Sequence, residues 1–169
     1  MNRHRIAFIV IFGTAMGFLE AAVVVYLRLL YYPSGFDFPL VLLPSITVGV
    51  ELGREAATIV MLWGVAELTG RNGVERFGWF SILFGVWDII YYVALKAVLD
   101  WPASLLTWDV LFLIPLVWTG PVLAPVIVSI GLIAGGARLV AFGERGIPIR
   151  LTLLDRATLG LSLLLLLVA

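Results

Sequence analysis

Five carboxylates, Glu20, Glu51, Glu55, Asp88 and Asp109, and three cations, Arg28, Arg54 and Lys96, are embedded in long apolar runs of a 169-residue chain. Ionisable groups at membrane depth are expensive unless they pair or meet water, so such a set reads first as a binding or translocation site. If every group were ionised, two negative charges would lack a partner. A bound cation, retained protons, or both are expected to make up the difference. With oxygen ligands alone, the ions that suit are protons or hard cations such as sodium, calcium, magnesium or manganese, and Glu51, Glu55 and Asp88 are the expected ligands of such a cation.

The spacing assigns faces to these groups. Thr47, Glu51, Arg54, Glu55 and Thr58 fall on one side of a helix, where Glu51 and Glu55 repel and Arg54 can neutralise only part of their charge. An Arg–Glu network that merely locks helices together is the competing reading. Asp88 has Tyr91 and Tyr92 one turn away, as hydroxyl donors to its carboxylate or as walls of a pocket. Glu20 stands beside a stripe of small residues, Gly13, Gly17 and Ala21, that lets helix backbones approach closely. Arg28 lies further along the same run. Lys96, two turns beyond Asp88, reads as snorkelling to the interface. Asp109 reads as the cap of a short half-helix. The candidate ligand-binding or ion-binding set is therefore Glu20, Arg28, Glu51, Arg54, Glu55, Asp88, Tyr91, Tyr92 and Asp109.

The elements that must position these groups are membrane helices. The chain is 62% hydrophobic and 13% charged, against about 45–50% apolar and about 25% charged in soluble domains. Apolar runs long enough to cross about 30 Å of hydrocarbon lie near 6–31, 46–69, 77–99 and 121–142, and a fifth begins near Arg156. Residues 103–119 are apolar but too short to cross and are interrupted by Pro115, so they read as a broken or re-entrant helix. The expected fold is an all-α polytopic bundle of about five transmembrane helices, one transmembrane domain over 1–169. The apolar run that follows Arg3 and Arg5 continues to Tyr32, too long for a secretory signal core. With the N-terminus in the cytoplasm, Arg3, Arg5, Arg71, Arg76, Arg138, Arg145, Arg150 and Arg156 all fall inside, as the positive-inside rule requires of a cell-membrane protein. Pro33 to Pro44 is a rigid aromatic loop suited to the interface, above the charged cluster. Trp79, Trp101, Trp108 and Trp118 lie near span ends and read as interface anchors, whereas Trp63 and Trp87 are deeper and read as packing.

Several functions are excluded. The net charge is zero, which gives nucleic acid no basic patch to grip. The chain has no cysteine, and its single histidine is His4 in the N-terminal tail. Haem, iron–sulfur and thiolate–zinc centres cannot be built from it. No metalloprotease, serine-hydrolase, nucleotide-binding or dinucleotide-binding motif is present. The leading expectation is a small multi-pass protein that binds or translocates a cation, protons or a small polar substrate near the outer leaflet. The alternatives are a non-catalytic subunit or homo-oligomer within a larger membrane complex, and an intramembrane enzyme acting on a lipid or isoprenoid.

Overall fold

A computed structural model describes residues 3–114, 116–147 and 153. The chain is mostly helical, 72% in four helices among the described residues. These are α1 (Arg3–Tyr31), α2 (Ser45–Thr69), α3 (Gly73–Leu99) and α4 (Leu123–Glu144), with two strands, β1 (Trp108–Phe112) and β2 (Trp118–Pro121), between α3 and α4. Helices α1, α3 and α4 are long and apolar enough to cross a membrane. Helix α2 has the length, at 25 residues, but carries Glu51, Arg54 and Glu55 in its middle. The expected fifth span lies outside the described residues.

Local chemistry sets the helix ends. Asn72 caps α3, its side-chain oxygen accepting from the Glu75 amide at 2.9 Å while the Glu75 carboxylate accepts from the Arg71 amide at 3.0 Å. This reciprocal capping turns the chain from α2 into α3 within three residues. Gly70 is required there, since a Cβ on it would lie 2.5 Å from the Arg76 amide nitrogen. At its other end α3 stops at Asp100, in the left-handed conformation with φ of 52°.

Helix α3 is the hub. Helices α1 and α4 pack along it, α2 packs more loosely, and α1 and α2 barely touch. The close crossings use glycine. A Cβ on Gly17 would sit 2.5 Å from the Trp87 carbonyl oxygen, and one on Gly136 would sit 2.5 Å from the Gly78 carbonyl oxygen. The small residues of α1 thus serve packing against α3. At the end bearing the N-terminus the core is dry, built from Leu62, Ala66, Trp79, Leu83 and Val140. Trp79 is fully buried, contrary to its reading as an interface anchor, because the α3–α4 crossing at Gly78 and Gly136 covers it.

Residues 103–119 contradict the helical expectation. They contain an antiparallel hairpin with Trp108 opposite Pro121, Asp109 opposite Gly120 and Phe112 opposite Trp118. The aromatic and β-branched residues Trp108, Val110, Phe112, Trp118 and Thr119 favour a pleated backbone, and prolines at 115 and 121 oppose a helix. The segment nevertheless folds back into the bundle. Phe112 stacks on Phe84 at 5.8 Å between ring centroids, and Phe84 lies about 22 Å down α3 from its end at Leu99. The ladder satisfies the inward-facing part of the hairpin's backbone, and partners of this kind are what non-helical structure inside an apolar bundle requires.

Candidate functional site

Between α1 and α2, above α3 and beneath the hairpin, lies a cavity of about 410 Å³ lined by Glu20, Arg28, Glu51, Arg54, Glu55, Asp88, Tyr91, Tyr92 and Asp109. All nine candidate residues therefore share one wall. The volume falls within the range of about 300–1,000 Å³ usual for small-molecule sites. Glu51, Glu20 and Asp88 sit about 9 to 16 Å from the hairpin-side ends of their helices.

Each acid has a partner, and two of them share one. Arg54 divides its guanidinium between helices: Nε and Nη2 donate to Glu51 Oε2 at 3.0 and 2.7 Å, and Nη1 pairs with Glu20 Oε1. Thr58 Oγ1 lies 3.2 Å from Glu20 Oε2. The Glu55 carboxylate accepts from the amides of Leu113 at 3.0 and 3.1 Å and of Ile114 at 3.3 Å. It thereby holds down the hairpin tip, where the ladder ends and those amides would lack partners. Asp88 accepts from Ser129 Oγ at 2.7 Å, so the donor given to it is a hydroxyl of α4. Tyr91 and Tyr92 meet edge to face at 4.9 Å.

Arg28 and Asp109 form a separate pair. Arg28 Nη2 donates to Asp109 Oδ1 at 3.0 Å, and its guanidinium carbon lies 3.6 Å from the ring centre of Trp101 and 4.3 Å from that of Phe36. Trp101 is thus a cation–π partner rather than a simple interface anchor. Two atoms of this pair, Arg28 Nη1 and Asp109 Oδ2, are buried with no hydrogen-bond partner among the described residues. Asp109 lies within β1 and does not cap a helix, because no helix begins there.

One further expectation is corrected. Glu51, Glu55 and Asp88 do not form a metal centre: among the described residues no three His, Cys, Asp or Glu side chains group in a way that could hold a metal ion. Glu51 turns to Arg54, Glu55 to the hairpin amides and Asp88 to Ser129, so the three diverge. Lys96, read as reaching for the interface, lies outside the cluster. Its ammonium pairs with Asp100 at 2.8 Å and donates to the carbonyls of Asp100 and Pro102, closing the end of α3 and holding the Asp100 carboxyl below the usual carboxylate range. Without Lys96 the cavity wall holds five acids and two bases, so the imbalance is larger than composition implied.

Ser129 escaped the sequence reading, although it is the only hydroxyl residue in α4 and a lone polar residue in an apolar helix is a usable signal. Phe36 and the residues around Leu42 show that the loop from Pro33 to Pro44 forms part of the cavity wall. Comparison with protein families, with curated proteins and with solved structures gives no match for this chain.

Proposed function

We propose that this protein is a multi-pass membrane protein that binds a small cation, protons or a cationic polar solute in an intramembrane site open toward the hairpin end. The observation that carries this reading is the convergence of five acids and only two arginines on one cavity of an apolar bundle. Three negative charges left over at that depth call for a counter-charge that the described chain does not supply. Beneath the acids, Leu62, Trp79 and Leu83 are closed to solvent. That favours binding over translocation, since a path to the opposite side would require this core to open.

Helix α2 belongs with the crossing helices in this reading. Its acids turn inward, while Ile46, Val50, Val60 and Leu68 remain exposed as an apolar outer face. Arg3, Arg71, Arg76, Arg138 and Arg145 at the end opposite the hairpin support a cytoplasmic N-terminus in the cell membrane. Assembly into a homo-oligomer or larger complex is a second reading. It is favoured by Gly49 and Gly53 on α2 and Gly131 and Gly135 on α4, which have open space where another helix could approach. The mass of the intact assembly in mild detergent tests it: a lone protomer would remove it.

The binding reading is tested by titrating nanodisc-embedded protein with propylamine hydrochloride, sodium chloride or acid while following tryptophan fluorescence, Trp87 being on the cavity wall. A saturable response, lost when Glu51→Gln and Asp88→Asn are combined, is expected. The absence of a saturable response to all three would remove the reading.

A further inference from the structure

The polarity of the cavity is graded. Glu20, Glu51, Glu55, Asp88 and Asp109 are all buried, whereas every lining residue that is exposed is aliphatic: Leu40, Val41, Leu42, Val48 and Val117. Leu42 is 97% exposed. A site for a free hydrated ion or a soluble polar solute is expected to keep polar groups at its mouth, where the incoming ligand sheds water. Here the acids form the floor and hydrocarbon forms the rim.

The α1–α2 side of the bundle is the thinly packed one. Helices α1 and α2 are bridged near the hairpin end by Tyr31 and Thr47, whose hydroxyl oxygens are 3.2 Å apart, and further down by Arg54 and Thr58 reaching Glu20. Those two bridges are about 16 Å apart along α1. Between them Val24 and Leu27 of α1 and Val48 and Glu51 of α2 line the cavity, so entry from this flank would pass over aliphatic side chains.

Free acceptors wait at the floor. Asp109 is 2% exposed, with Oδ2 lacking a partner. Among the described residues, Glu51 uses only Oε2 and Asp88 only Oδ2. A protonated amine brings three N–H donors and one positive charge, the two things these oxygens lack.

From this gradient we propose that the ligand is amphipathic: an alkylammonium whose charged head lies on the carboxylate floor, at the unpartnered Asp109 Oδ2, and whose hydrocarbon chain runs out between α1 and α2 over Val48 and Leu42. This rests on the cation-binding reading above and names its ligand class. The head can belong to a free long-chain amine or to an amine-bearing membrane lipid.

The test is saturable binding of dodecylamine and propylamine to the protein in phosphatidylcholine nanodiscs, with empty nanodiscs as the background. Dodecylamine should bind more than about tenfold tighter, because each buried methylene adds severalfold to affinity. Combining Leu42→Gln with Val48→Gln, both at exposed positions where folding is not at stake, should cut dodecylamine affinity about tenfold. Equal affinity for the two amines, or dodecylamine affinity unchanged in that rim variant, would overturn the amphipathic class while leaving the cation site standing. Binding of neither amine would overturn this proposal, and a continued response to sodium or acid would show that the broader reading survives. Phosphatidylethanolamine in the nanodisc should displace dodecylamine if the source is a membrane lipid. Undiminished dodecylamine binding in its presence identifies a free long-chain amine instead, and either result upholds the ligand class.

Discussion

At the end of the bundle that carries the N-terminus, Leu62, Trp79, Leu83 and Val140 pack carbon against carbon around a glycine crossing of α3 and α4. At the hairpin end the interior is polar. Helices α1 and α2 touch there chiefly through side chains, Tyr31 with Thr47 and Arg54 with Glu20, and five carboxylates line about 410 Å³ of space. The dry end specifies the fold through shape, since a backbone-to-backbone crossing tolerates little change. The hairpin end is held by charged hydrogen bonds that fix its shape without balancing its charge. In the function proposed above, the balancing charge arrives from outside the chain.

If this contrast is right, substitutions at the two ends should fail for different reasons. The largest effect is expected for Arg54→Met, which leaves Glu20 and Glu51 buried with no cation between them. Destabilisation of about 3–5 kcal/mol is expected in reversible unfolding from detergent. Gly136→Leu comes next, at about 3 kcal/mol, because the new side chain meets the Gly78 carbonyl; it should loosen α3 from α4 without altering amine binding per folded molecule. Glu55→Ala should cost about 2 kcal/mol by stranding the Leu113 and Ile114 amides, and should raise hydrogen exchange at the hairpin tip while the dry end stays protected. Lys96→Met should have no measurable effect, since its pair with Asp100 is exposed. Because Asp100 is held below the usual carboxylate range, whatever that pair contributes is present at neutral pH and disappears as the pH falls through the lowered value. A large loss from Lys96→Met, or none from Arg54→Met, would erase the distinction between the two ends.

The helices were legible because membrane runs are long: the readings 6–31, 46–69, 77–99 and 121–142 agree closely with α1 to α4. The excess of acid was legible too, since a count of buried charge needs no geometry. The hairpin was not. Whether Trp108 to Trp118 forms strand or helix depends on Phe84 and Glu55, distant in sequence, which supply a ring to stack on and an acceptor for the tip. The same limit explains the metal reading. Glu51, Glu55 and Asp88 are acids at similar depth on successive helices, which suggests one centre, yet Arg54, the hairpin amides and Ser129 each claim one of them. Ser129 shows the converse, a deep partner for Asp88 visible only as an isolated hydroxyl in an apolar helix.

The central claim is that the cavity carboxylates exceed the cations available to them and that an external cation or proton completes the site. Infrared difference spectroscopy of the carboxyl bands, on nanodisc-embedded protein before and after amine addition, tests it most directly. The account predicts a protonated-carboxyl band that converts to carboxylate when amine binds, with the conversion lost in Asp88→Asn combined with Glu51→Gln. A spectrum holding only carboxylate bands, unmoved by amine, would mean that the chain balances its own charge and would contradict the account.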